Sequence, residues 1–186
     1  MSEAGDPISP GSEIIKVHVG ELKQLFNSID PSPFREKDLD PAAEEFIVEW
    51  ARETHRAKPL ALLIHLDRQP ESPVEAAQTC EAVHEYFRAR AKAVRGRLRL
   101  LFRNGRISLI IGFVCLAASI SLGNFIEQRL GGLHAASLVG ESMLIGGWVA
   151  MWRPLEIFLY DWWPIRAEAR LFDRLSRAPV RITHGS

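Results

Sequence analysis

Cysteine is scarce in this chain of 186 residues, which has two. Cys115 lies inside a long apolar run and Cys80 well before it, so neither a disulfide nor a cysteine-based metal site is expected. An excess of charge is also lacking. Lys plus Arg and Asp plus Glu both number 23, and this balance argues against a nucleic-acid partner. The opening residues MSEAGDPISPGSE have neither the basic segment nor the apolar core of a signal peptide. No cleavable signal is expected, and roughly the first hundred residues are placed in the cytoplasm. There is no glycine-rich phosphate loop, no GxSxG elbow, no HExxH and no CxxC, and no cofactor is implied. Internal repeats and low-complexity segments are absent too.

What the chain has in quantity is apolar sequence without charge. Ile107 to Ile126, ISLIIGFVCLAASISLGNFI, is twenty residues long and carries no charged side chain. As a helix it spans about 30 Å, the thickness of a bilayer's hydrocarbon core, so it reads as a transmembrane helix. A second run, Ala136 to Trp152, is interrupted only by Glu141 near its start. After Arg153-Pro154 the apolar character resumes as LEIFLYDWW, so this span ends either at Trp152 or near Tyr160. The connector, Glu127 to Ala135, contains Gly131-Gly132.

The balanced total hides an asymmetry that orients the spans. Arg88, Arg90, Lys92, Arg95, Arg97, Arg99, Arg103 and Arg106 precede the first span with no acid among them. Arg153, Arg166, Arg170, Arg174 and Arg177 follow the second, and the connector has Arg129 alone. Basic flanks stay inside, so both termini are expected in the cytoplasm of a multi-pass inner-membrane protein. Four of the five Trp residues crowd the inner end of the second span, at headgroup level. Arg95, Arg97, Arg99, Arg103 and Arg106 are the candidates for anionic lipid headgroups.

Ahead of the membrane, EIIKVHV (Glu13 to Val19) and LALLIHL (Leu60 to Leu66) read as strands. In the first, Ile14, Lys16 and His18 share one face and Ile15, Val17 and Val19 the other. Asp30-Pro-Ser-Pro33 breaks the chain. Asp40-Pro41 starts a helix to about Glu53, with Phe46, Ile47 and Trp50 on its apolar side. Ser72-Pro-Val-Glu75 is a capping box that launches a long helix. Cys80, Val83, Phe87, Ala91, Val94, Leu98 and Leu101 form its stripe. Asn104-Gly105 is placed to break or bend it. Ile165, Ala169, Phe172 and Leu175 mark a closing amphipathic helix.

The expected fold is an α+β membrane protein. Residues 1–12 are a loose tail, and 13–85 a small cytoplasmic two-stranded α/β domain. Residues 86–106 are a long basic juxtamembrane helix, 107–160 a two-helix transmembrane hairpin, and 161–186 a cytoplasmic C-terminal amphipathic helix and tail. Two strands leave their edges unpaired, so pairing with a second copy, and hence a homo-oligomer, is expected.

Candidate site residues fall in three groups. The small stripe Ser108, Gly112, Cys115, Ser119 and Gly123 suits close helix packing, inside the hairpin or between copies; Ala136, Gly140, Gly147 and Ala150 are its counterpart in the second span. Glu141 is the intramembrane acid, and Arg153 and Glu156, three apart, form an ion pair at the inner interface, with Asp161 at the same corner. His18 and His65, each penultimate in its strand, with Asp67 beyond the second, are the soluble metal or catalytic candidates. The leading functional class is an oligomeric scaffold, adaptor or sensor, in contact with membrane lipid and with a cytoplasmic protein partner. A transport or channel component using Glu141 is the second class; Glu141 facing a wet pore would favour it. A membrane-bound enzyme or metal-binding protein is the third; converging histidines would favour it.

Overall fold

A computed structural model describes residues 3–26, 38–55, 58–68, 73–130 and 134–184. The Asp30 to Pro33 break, Ser72 of the capping box and the Gly131-Gly132 connector lie outside the described residues. The chain divides into two compact units, Met1–Val94 with Ala167–Ser186, and Arg95–Arg166.

The first unit is a mixed α/β sheet domain. Strands β1 (Glu3–Gly5), β2 (Glu13–Val19), β3 (Leu60–Leu66) and β4 (Val180–His184) lie in the order β1-β4-β3-β2. β2, β3 and β4 are parallel, and β1 is antiparallel to β4. The expectation of two strands is therefore corrected to four. Residues 180–184, expected as tail, are an interior strand whose Val180 and Ile182 are buried. Five residues are too few to display a periodicity, and their stability comes from pairing on both sides. β1 was equally hidden, since Glu-Ala-Gly has no strand preference. Its closing Gly5 has φ +120°, and a Cβ there would lie 2.3 Å from the Val180 carbonyl oxygen, so only glycine lets the strands meet.

Helix α1 (Pro41–Glu53) begins where Asp40 Oδ1 accepts from the amides of Ala42 and Ala43, at 2.9 and 3.4 Å, with Pro41 at the first turn. Its buried residues are Ile47, Val48 and Ala51, whereas Phe46 and Trp50 are exposed. The covered stripe is thus rotated from the expected one toward the smaller side chains. Helix α2 (Pro73–Leu130) follows β3, and α4 (Trp162–Leu175) leads into β4. Parallel crossovers are right-handed, and here each moves one strand in the same direction, so both lay their helices on the same face. Glu44 of α1 accordingly bonds Tyr86 and Arg90 of α2. Ile15, Val17, Leu62, Ile64, Val180 and Ile182 form the sheet side of the core, and Val83, Phe87, Phe172 and Leu175 the helix side. Phe87 and Phe172 stack at 6.3 Å. The α2 stripe is buried from Cys80 to Val94, as the periodicity predicts.

In the second unit α2 is unbroken through Asn104-Gly105. A Cβ on Gly105 would lie 2.8 Å from Ile157 Cγ2, so this glycine serves close packing rather than a turn. Helix α3 (His134–Glu156) meets α2 at close approaches that run in opposite directions: Gly140 to Gly123, Gly147 to Leu116, and Ala150 to Gly112. After α3 a five-residue π-turn, Ile157–Asp161, carries the chain into α4. Among the described residues one helix, α2, is long and apolar enough to cross a membrane, and only 11 % of its most apolar stretch is buried.

Candidate functional site

The sheet has two unlike faces. Alternation turns Ile15 and Val17 into the core and leaves Ile14, Lys16 and His18 exposed on the face away from the helices. Register then dictates what stands beside them. His18 pairs with His65, and His65 with Thr183, each penultimate in its strand or next to it in the parallel row. In the row before, Lys16 pairs with Leu63, and Leu63 with Arg181.

The two imidazoles are in contact, with ring centroids 4.9 Å apart and planes tilted by 57°. His65 Nδ1 lies 3.2 Å from the Thr183 hydroxyl, which is buried and fixes the ring. Which atom donates depends on the tautomer, but either way His65 Nε2 is the nitrogen left for a ligand. His18 is exposed and His65 half-buried, so both rings are within reach of solvent. The structure therefore brings His18 and His65 together. Asp67, exposed and just past β3, does not complete a triad: among the described residues no three His, Cys, Asp or Glu side chains gather as metal ligands.

Parallel neighbours place the histidines at the carboxyl ends of the strands, as expected. That position usually holds a ligand crevice where strand order reverses. Here β2, β3 and β4 follow one another without reversal, so there is no switch point, and the exposed polar side chains lie on the sheet face of Lys16 and His18. Lys16 was legible on that face from alternation alone. Thr183 and Arg181 were missed because β4 was read as tail; the alternation in VRITH was the one signal present.

The remaining candidates sit as follows. Gly112 and Gly123 are buried against α3, Ser108 and Ser119 are half-buried, and Cys115 is exposed. Gly140, Gly147 and Ala150 supply the α3 side of those approaches. Glu141 is exposed on α3. Arg153 Nη1 donates to Glu156 at 2.8 Å and lies 3.3 Å from Asp161 Oδ2. Arg95, Arg97, Arg99, Arg103 and Arg106 are all exposed along α2. Arg90, by contrast, is held by Glu44 and lies over the Phe172 ring at 5.5 Å. His84 is partly buried, with Nε2 2.8 Å from the Ala178 carbonyl oxygen.

One buried and one half-buried group are held protonated. Burial, reinforced by Asp6, pushes the Cys80 thiol up to about 11. Burial and the hydrogen bond to Glu44 push the Tyr86 phenol above its ordinary range. Both features are structural, since neither group faces the histidine row. No family model, curated protein or solved structure matches this chain.

Proposed function

We propose that this chain is a two-span integral membrane protein with a cytoplasmic α/β unit, acting as an oligomeric scaffold, adaptor or sensor. The observation that carries the reading is the return of the chain to its own sheet. β3 precedes α2, and β4, which pairs with β3, follows α4. A chain that crosses a bilayer after β3 has to cross back before β4, because both strands belong to one sheet. Helix α2 supplies one crossing and α3 the other, which makes Arg95–Arg166 a transmembrane hairpin inserted into a cytoplasmic domain. The basic flanks favour the same orientation.

The exposed apolar surface supports the bilayer as solvent. Ile110 and Val114 on α2, and Ile145, Val149 and Trp152 on α3, are each more than half exposed. An apolar belt of that extent is covered in a working protein, and lipid covers both helices at once. The exposed arginines from Arg95 to Arg106 then meet anionic headgroups, and Trp148, Trp152, Tyr160 and Trp163 lie at the inner interface.

With four strands the sheet no longer needs a second copy, so self-association rests on the spans. Glu141 is the reason to retain it. An exposed acid on a spanning helix is costly toward lipid and is relieved by a neighbouring copy or by water. The converging histidines favour the third reading, a membrane-bound enzyme or metal-binding protein, but among the described residues no third ligand stands with them. A transport role through Glu141 stays the second reading.

The test is extraction of membranes from cells expressing the full chain. The protein should remain in the pellet in alkaline carbonate and be released by detergent, with a micelle-corrected mass above one copy. A carbonate-soluble protein would overturn the membrane reading, and a single copy in every detergent would overturn self-association.

A further inference from the structure

We propose that the free face of the sheet binds a phosphate-class oxyanion at Lys16, His18 and His65. The proposal stands on the α/β unit alone and does not depend on the spans.

The site is set by register. In-register side chains on neighbouring strands stand about 4.8 Å apart, and residues two apart on one strand about 6.6 Å. His18 and His65 are in register, and Lys16 precedes His18 on the same face. A lysine ammonium on its flexible stem reaches above such a pair. The three side chains thus bring nitrogen donors to one patch of the sheet. The contact with Thr183 engages His65 Nδ1 and leaves Nε2 for a ligand. On the far side of Leu63 stands Arg181, its Nε donating to the Asp6 carbonyl at 3.3 Å.

Charge decides the sign of the ligand. Lys16 puts a fixed positive charge on the face that carries the ring pair, and an anion is attracted to it. A metal ion faces the opposite balance: it would sit beside Lys16 with two imidazoles and, among the described residues, no third ligand. The acids nearby lie at the margins. Asp67 is exposed past the end of β3, and Glu21 is paired with Arg68. A nucleic-acid strand is disfavoured because β2, β3 and β4 carry no Phe, Tyr or Trp on which bases could stack. The fitting ligand is a small phosphate, free or as a lipid headgroup.

Sulfate is the first probe, because its charge is constant across the range in which histidine titrates. The full chain in maltoside micelles is titrated with sodium sulfate by calorimetry, then with inorganic phosphate. One saturable site is expected for each anion. His18→Gln should weaken binding roughly tenfold and Lys16→Gln several-fold, with thermal midpoints unchanged because both side chains are at the surface. Histidine ring resonances that shift in phosphatidylglycerol nanodiscs without added salt of either anion would assign the phosphate to a lipid headgroup. Absence of saturable binding, or binding that both variants leave unchanged, overturns the proposal. So does tight zinc binding that strengthens as pH rises without any anion site.

Discussion

The backbone of Gly140 lies 3.4 Å from the point that a Cβ on Gly123 would occupy. Two glycines meeting backbone to backbone let α2 and α3 come closer than any side chain larger than a methyl would allow. If the pair lies in lipid, as proposed, the surroundings give the helices no hydrophobic reason to associate, and this proximity is the source of their attraction. Gly123→Ala should be nearly neutral, because an added methyl would make ordinary contact. Gly123→Leu should force the helices apart and destabilise the unit by about 1–3 kcal/mol, read from unfolding in mixed micelles. Equal stability of the leucine variant would mean that the pair does not hold the helices together.

Much of this fold was legible from local pattern. The β-branched run of β2, the apolar run of β3, the Asp40 cap and the Cys80 to Val94 stripe each carry their own signal. What was not legible depends on distant partners. Gly105 looks like a helix breaker until Ile157 fills the space beside it. Val180 to His184 looks like a tail until β3 and β1 flank it. The histidine pair was half legible: each ring could be placed near a strand end, but only the parallel register brings them side by side.

The interior position of β4 makes Val180–His184 decisive for the sheet unit. Ile182 is 1 % exposed and sits between β3 and β1. Ile182→Ala should cost about 2–4 kcal/mol, measured by denaturant unfolding of the full chain. A loss of under about 0.5 kcal/mol, the range of surface substitutions, would return these residues to the status of a tail.

Cys80 should behave as an inert core group. With its thiol raised from the ordinary 9.0 to about 11, the thiolate at neutral pH is about a hundredfold scarcer than for an exposed cysteine. Alkylation of the folded chain should be slower by about that factor or more. The folded chain keeps this proton to higher pH than the unfolded chain does. Its contribution to stability is therefore complete below about pH 9 and is lost as pH rises through about 11. Cys80→Ala should flatten that part of the pH profile. Rapid alkylation at neutral pH would contradict the burial of this side chain.

The most direct test is the side of the membrane on which each part of the chain lies. Single cysteines at Glu81, Gln128 and Arg177, in a chain with Cys80 and Cys115 replaced by Ala, report the segments before, between and after the two crossings. All three native side chains are exposed, so introduced thiols there are reachable from solvent. In intact spheroplasts an impermeant maleimide should label the Gln128→Cys chain, and should label the Glu81→Cys and Arg177→Cys chains only after the membrane is opened. Labelling of Arg177→Cys with Glu81→Cys protected would put the two ends on opposite sides, and that would contradict a sheet built from both.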